Sequence, residues 1–490
     1  MEQLIVLSLV LPLVTGILAM TQSRQAAIGL ISLTGSSLTS LMLFTIVYHV
    51  VTVGTIHVWQ FYIDHLSAVL LIVVALLTFT AALFSLSYMN EERAHGNISL
   101  RMLKRYYGLV NLFSFTMICV LLFENLGMVW VAVEATTLSS ALLVAFYFDR
   151  AALEAAWKYV MVCTVGICLA LLGTILLYYA QVNVGIDGGG LSWLALKEVS
   201  NRLDPGMVKL AFVFILIGYG TKAGLAPMHT WLPDAHSQAP SPVSGLLSGA
   251  LLSCALYAII RTVIIVKGAL GPDFPDQFLT GFGLLSIVIA VPFIMVQHDL
   301  KRLLAYSSIE HMGLITLGLG IGTPLAVYGA LLHLINHAVT KSALFYLAGI
   351  VIQQYGTKSI MRIRGLMSAA PMTGTLFIVA VLAIAGLPPF SVFFSKFTIV
   401  WAAFQSGRPW LGAIVLLLMA AIFAGMIYYT LKIGFGPQPS RVSTGYRPGK
   451  PAMSAVSLSV VIMIAAGLYL PPWLDGLINQ AVAIVIGGEL

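Results

Sequence analysis

Charge is what this sequence lacks. Asp, Glu, Lys and Arg make up 9% of its 490 residues, against 59% hydrophobic, where a soluble domain carries about 25% charge. No soluble core could hide so much apolar surface, so a soluble enzyme is excluded. Strict apolar–polar alternation is also missing, which excludes a transmembrane β-barrel. Cysteine is scarce: Cys119, Cys163, Cys168 and Cys254 are the 4 present, all inside apolar runs and with no Cys-x-x-Cys. That spacing argues against a bound iron–sulfur cluster or zinc ion in this chain and leaves the redox compartment open. The net charge of +7 comes from cations scattered through short loops. With no basic stripe, it reads as membrane topology and not as a nucleic-acid surface. The first residues lack a basic start and an Ala-x-Ala site, so they read as a retained helix and not a cleaved leader.

What is present is a series of apolar runs long enough to cross about 30 Å of hydrocarbon. They fall near 3–20, 27–53, 66–88, 108–125, 127–148, 156–180, 208–226, 241–263, 277–296, 302–321, 325–351, 370–402, 411–433 and 454–474. The expectation is an all-α polytopic membrane protein of about fourteen transmembrane helices in a single domain. Its parts are helices 1–3 and a loop (1–107), two inverted repeats (108–263 and 277–433) and helix 14 (454–474). The gaps at 89–107 and 181–207 are too short for a soluble domain, so redox or nucleotide chemistry falls to partner proteins. Of the 25 Lys and Arg, sixteen, Arg441 among them, gather on one side when the N-terminus is placed outside. Six, including Arg261, gather on the other. The positive-inside rule then puts both termini on the outer side of a prokaryotic inner membrane. Lys222, Lys341 and Lys396 remain within spans.

Helices 7 and 12 are punctuated alike, by Gly224-Leu225-Ala226-Pro227 and Gly386-Leu387-Pro388-Pro389, with Lys222 just before one and Lys396 just after the other. Proline breaks a helix, and lipid tolerates the break only where protein or a water-filled cavity satisfies the freed backbone. Paired breaks of this kind mark ion sites near the midplane. Glu134 lies within the fifth apolar run, where an ionisable group costs at least about 2.5 kcal/mol. It is either a protonated packing group or the partner of a lysine; a changing Glu–Lys distance would then load and release a proton. In the eleventh run His333, His337 and Lys341 recur every four residues on one face, a pattern suited to proton relay. The same His pair suits packing or, less well beside an ammonium, a divalent metal. His229, Asp234 and His236 follow the seventh-helix break as cavity lining or a proton access route. Lys158 begins the sixth run as an anchor or a relay group. Glu310 and His311 extend a polar axis, Asp299, Lys301 and Arg302 read as interfacial charges, and Glu124 ends the fourth run at the interface.

With these residues in view, the chain resembles the antiporter-like proton-channel subunits shared by respiratory complex I, multisubunit cation/proton antiporters and energy-converting membrane-bound hydrogenases. The motifs are Pro242-Val-Ser-Gly-Leu-Leu, Asp299-Leu-Lys-Arg-Leu-Leu-Ala-Tyr-Ser-Ser308 and Gly386-Leu-Pro-Pro-Phe with Phe394-Ser-Lys396, in order across roughly spans 3 to 13. The resemblance implies proton-transfer roles for Glu134, Lys222 and Lys396, at the family's fifth-, seventh- and twelfth-helix charged positions. It sets His333, His337 and Lys341 on the eleventh helix and Lys158 on the sixth. Glu134-Ala-Thr-Thr-Leu-Ser-Ser140, Leu153-Glu-Ala-Ala-Trp-Lys-Tyr159 and Ser307-Ser-Ile-Glu-His311 look most like the hydrogenase-4 component F branch. That branch implies a formate-hydrogenlyase-type complex, with a [NiFe] centre and Fe–S clusters in a peripheral arm and none in this chain. The partners implied are other membrane subunits, lipid, and protons or Na+. A subunit of a Na+/H+ antiporter or of a quinone-linked complex I is the alternative. One departure is Ser248-Gly-Ala-Leu-Leu-Ser253, where some relatives carry a lysine or histidine in the eighth helix.

Overall fold

The structure, a computed structural model, describes residues 1–184, 190–437 and 446–487; Arg441 lies outside them. Helices α1 (Glu2–Thr21) and α2 (Gln25–Thr52) lead into a hairpin of β1 (Ile56–Val58) and β2 (Phe61–Ile63), with His57 opposite Tyr62. Then come α3 (His65–Ala94), α4 (Leu100–Leu122), α5 (Leu126–Val144), α6 (Arg150–Val182) and a short α7 (Trp193–Glu198). The seventh run is broken into α8 (Pro205–Lys222) and α9 (Trp231–Gln238). α10 (Ser241–Leu246) continues through a π-turn at Leu247–Leu251 into α11 (Leu252–Leu270). α12 (Asp273–Met295), α13 (Leu300–Ile321) and α14 (Pro324–Tyr355) follow, then a single turn, α15 (Leu366–Ala369). The twelfth run is also broken, into α16 (Pro371–Ala385) and α17 (Ser391–Gln405). α18 (Pro409–Gly434), α19 (Lys450–Leu468) and α20 (Pro472–Ile486) complete the described chain.

Among the described residues, twelve helices are long and apolar enough to cross a membrane. The expected count of about fourteen also needs α13, whose polar residues dilute it, and the interrupted α16–α17 pair. Helix ends run past the apolar stretches: α3 reaches Ala94 and α4 begins at Leu100, so little of the 89–107 gap is loop. Local chemistry sets where the helices start. Asp64, Ser99, Asp149, Asp204, Asp299 and Thr323 each accept a hydrogen bond from a backbone N–H in the first turn of the following helix, satisfying a donor that has no partner within the helix. α14 shows both ends: Thr323 caps it, Pro324 opens it and Gly356 closes it in the left-handed conformation.

α10–α11, α14 and α3 form the centre, with all, 94% and 78% of their most apolar windows buried, whereas α1, α12, α18 and α19 are peripheral at 33% each. In lipid, helices gain from close contact more than from apolarity, and glycine permits it. A Cβ on Gly283 would stand 2.7 Å from the Gly313 carbonyl oxygen of α13, and one on Gly218 would stand 2.6 Å from that of Gly166 on α6.

Candidate functional site

Among the described residues, a cluster of buried polar side chains lies beside each broken helix. In the first, α8 ends at Lys222, and Gly224 takes a left-handed φ of 74° to turn the chain. Lys222 is fully buried; its Nζ donates to Thr137 Oγ1 at 2.8 Å and to Tyr159 OH at 2.5 Å, and Tyr159 in turn meets Ser140 Oγ at 2.7 Å. Glu134 stands one turn before Thr137 on α5, its Oε1 3.4 Å from the Thr164 hydroxyl and its Oε2 buried without a hydrogen bond. The expected Glu–Lys neighbours therefore share a neighbourhood without forming an ion pair. Lys222 meets the Thr137 hydroxyl and the Tyr159 phenol, and Glu134 the Thr164 hydroxyl.

The second cluster is continuous. Gly386 closes α16 with a φ of 91°, and α17 then carries Ser395 and Lys396 inward. Lys396 Nζ donates to Glu310 Oε1 at 3.0 Å. The other oxygen of Glu310 lies 3.2 Å from His311 Nε2, within ion-pair reach but not aligned for a hydrogen bond. His311 Nδ1 meets His333 Nε2 at 2.9 Å, and His333 Nδ1 meets Ser395 Oγ at 2.9 Å. One nitrogen of each facing pair must donate while the other accepts, so moving a proton along the row reverses the tautomers. The His337 ring lies tilted against His311 at 5.2 Å between centroids, and both its nitrogens are buried without a partner. Lys341 is fully buried and donates to the Leu304 carbonyl at 2.9 Å.

Beside the 95–99 and 356–365 loops lies a separate cavity of about 510 Å³, lined by Glu92, Tyr147, Ser237, Lys301, Gln353 and Lys358 among others. Lys301 is not the interfacial charge expected from its loop-side position. It is buried and donates to the Ala239 carbonyl, because α13 begins under α9. His236 on α9 is buried, stacked on Phe345 at 4.7 Å, with both ring nitrogens unpaired. His229 is buried beside Tyr306. Asp234 pairs with Lys158 at 3.4 Å and Arg302 at 3.1 Å, and Lys158 also pairs with Glu154 at 2.7 Å. With half of its side chain exposed, Lys158 lies at the rim, away from both clusters. Asp299 accepts from Ser237 at 2.8 Å. Glu124 pairs with His57 at 3.0 Å and accepts from Ser192.

Two groups escaped the sequence reading. Tyr159 was overlooked beside Lys158, although Ala152, Ala155, Ala156, Tyr159 and Cys163 form the buried face of α6; helical periodicity separates the inward phenol from the outward amine. Arg261, expected among the outer loop cations, is buried. Its guanidinium grips Asp64 at 2.7 and 2.6 Å and sits over Trp193 and Tyr257 at 4.5 and 4.9 Å. A carboxylate 197 residues away in sequence leaves no local signal. Tyr62 closes the same site, where burial pushes its phenol up to about 12. Among the described residues, no group of three or more His, Cys, Asp or Glu side chains is placed to hold a metal ion.

Comparison with known proteins adds to this geometry. A family described as "NADH:quinone oxidoreductase/Mrp antiporter, TM" matches residues 123–423, and one described as "NADH-Ubiquinone oxidoreductase (complex I), chain 5 N-terminus" matches 50–97. The hydrogenase-4 component F homolog of Methylacidiphilum infernorum is 39% identical over 84% of this chain and 86% of its own length. A Na(+)/H(+) antiporter subunit from Alkalihalophilus pseudofirmus is 25% identical over 95% of this chain and 94% of its own. A chain in the archaeal membrane-bound sulfane sulfur reductase, a respiratory membrane complex, superposes with a TM-score of 0.85, at 25% identity, over 99% of this chain and 98% of that one.

Proposed function

The chain belongs to the antiporter-like, proton-translocating membrane subunits shared by complex I, Mrp antiporters and hydrogenase-4, and from that premise we propose that it serves a membrane-bound [NiFe] hydrogenase of the formate-hydrogenlyase type. The 39% identity to a hydrogenase-4 component F homolog supports that choice of complex. The observation that carries the mechanism is the unbroken row Lys396–Glu310–His311–His333 inside the membrane. Four groups able to exchange protons, in contact and away from water, cost too much to be incidental packing.

In this reading the polar cavity at Lys301 is the access route, and His236 and His337, with empty nitrogens, receive the proton. The His311–His333 contact passes it on. Glu310 takes it when Lys396 lets go of the carboxylate; Lys396 then releases its own ammonium proton past the broken segment, and the neutral amine left behind takes the proton from Glu310. Around Lys222 the same logic runs through Tyr159 and Thr137 toward Glu134. The two clusters occupy repeats 108–263 and 277–433, and both chain ends face the outer side. Redox centres belong to the peripheral arm of the complex.

Purifying the tagged chain with its complex from native membranes tests the assignment. Large and small hydrogenase subunits should accompany it; six or seven small membrane proteins would make it an antiporter subunit, and flavin-bearing subunits a complex I subunit. In the purified complex, Lys396→Ala should lower proton uptake into proteoliposomes and leave dye-linked hydrogenase activity intact. Loss of dye-linked activity in a fully assembled complex would defeat the proton-channel reading.

A further inference from the structure

A groove of about 420 Å³ runs between α1, α4 and α5, lined by Pro12, Met20, Arg105, Leu112, Leu142 and Phe148 among others. That volume falls in the range of small-ligand sites. Along α1 the lining runs from Pro12 to Met20, about 12 Å of helical rise, and along α4 from Met102 to Leu112, about 15 Å. Half of a 30 Å hydrocarbon core is about the same length. The groove is therefore one leaflet deep. Its apolar walls end at Arg105, the one charged side chain among the lining residues.

Electrostatics at that end point to an anion. Arg101, Lys104 and Arg105 lie within the first two turns of α4, which has no acidic residue in its first turn. Cations at the positive end of a helix dipole are unfavourable, and among the described residues none of the three has an ion-pair partner. At the mouth Phe148 adopts a φ of 55° with its ring exposed, a conformation rare for a bulky residue.

The geometry points to a binding site for one anionic phospholipid, its acyl chain in the α1–α4–α5 groove and its phosphate on Arg105, in the leaflet that holds the α3–α4 loop. A neutral acyl chain would fill the walls and leave the three cations unanswered. Basic pockets between transmembrane helices bind anionic headgroups for this reason.

Photolabelling tests it. The full chain is placed in nanodiscs of phosphatidylcholine doped with phosphatidylglycerol carrying a photoactivatable acyl chain, and cross-linked peptides are mapped. Labels should fall on 12–20 and 102–112, several-fold above those from the matching phosphatidylcholine probe. Arg105→Gln should lower that labelling about fivefold, the value of one basic residue at an anionic surface. Arg105→Lys should retain it, and labelling elsewhere on the chain reports that each variant is folded. Equal labelling by the two probes, or labelling unaffected by Arg105→Gln, overturns the headgroup site. Protein–protein cross-links from the groove in the intact complex, in place of lipid, would show a neighbouring subunit's helix as the occupant and overturn the proposal.

Discussion

Lys396 and Glu310 neutralise each other where neither reaches bulk water. Removing one partner of a buried pair strands the other, at about 3–5 kcal/mol, whereas replacing both with apolar groups is close to neutral. Lys396→Met should therefore lower the unfolding temperature in detergent, and the double variant with Glu310→Leu should regain most of it; both should show lowered proton uptake. A double variant no more stable than the single one would mean that the pair is not coupled. Around Lys222 the contrast lies between adjacent residues. Tyr159→Phe removes a hydrogen bond to a charged group, worth about 1.5–3 kcal/mol, and should slow translocation several-fold, as should Lys222→Ala and Glu134→Ala. Lys158→Ala should do much less, because its side chain faces Glu154 and Asp234 at the rim. Proton uptake into proteoliposomes, with membrane content of each variant as control, measures all four. The intramembrane lysines and histidines were legible from sequence because charge inside an apolar run has no trivial explanation. Their partners were not: Glu310 to Lys396, like Asp64 to Arg261, are tertiary contacts between distant segments, and periodicity reports a face without reporting what it meets.

Helices 7 and 12 show what sequence does disclose about an element. Glycine and proline end them where expected, since each changes the backbone itself. At Gly386 a Cβ would be strained at φ 91° and would stand 3.1 Å from Lys396 Cδ. Gly386→Ala should thus cost about 1–3 kcal/mol for the backbone alone and disturb the Lys396–Glu310 contact; the thermal shift and the proton uptake of one preparation report the two effects separately. The length of α3 was underestimated because its last turns are polar, and a helix continues into the interface without apolar residues once its core is anchored. Short α7 and the π-turn had no sequence signature: one is a six-residue helix, the other a single extra residue in an otherwise regular helix.

For the whole molecule, composition alone fixed the class and the approximate number of spans, because lipid leaves few solutions for a backbone. It did not fix which helices occupy the centre. Span 8 is no more apolar than several peripheral spans, yet every residue in its most apolar window is buried, while those peripheral spans face outward. Assembly chemistry should follow this division. Substitutions by larger residues on the exposed face of α6, at Met161 or Val165, should leave the isolated chain's unfolding temperature unchanged. A larger residue at Gly249 meets Leu77 and the Ala338 carbonyl and should lower it by several degrees. Unfolding scans of the two sets in the same detergent decide this.

The π-turn at Leu247–Leu251 and the Arg261 clamp belong to the same long helix, and the geometry of one bears on the other. A π-turn holds one residue more than an α-turn. Expelling it toward the Arg261 end would turn everything beyond by about 100°, swinging Arg261 out of its aromatic box and off Asp64. Migration in that direction therefore carries the cost of breaking a buried, bidentate guanidinium–carboxylate contact, which favours keeping the surplus residue where it stands, beside the Ser248–Ser308 contact.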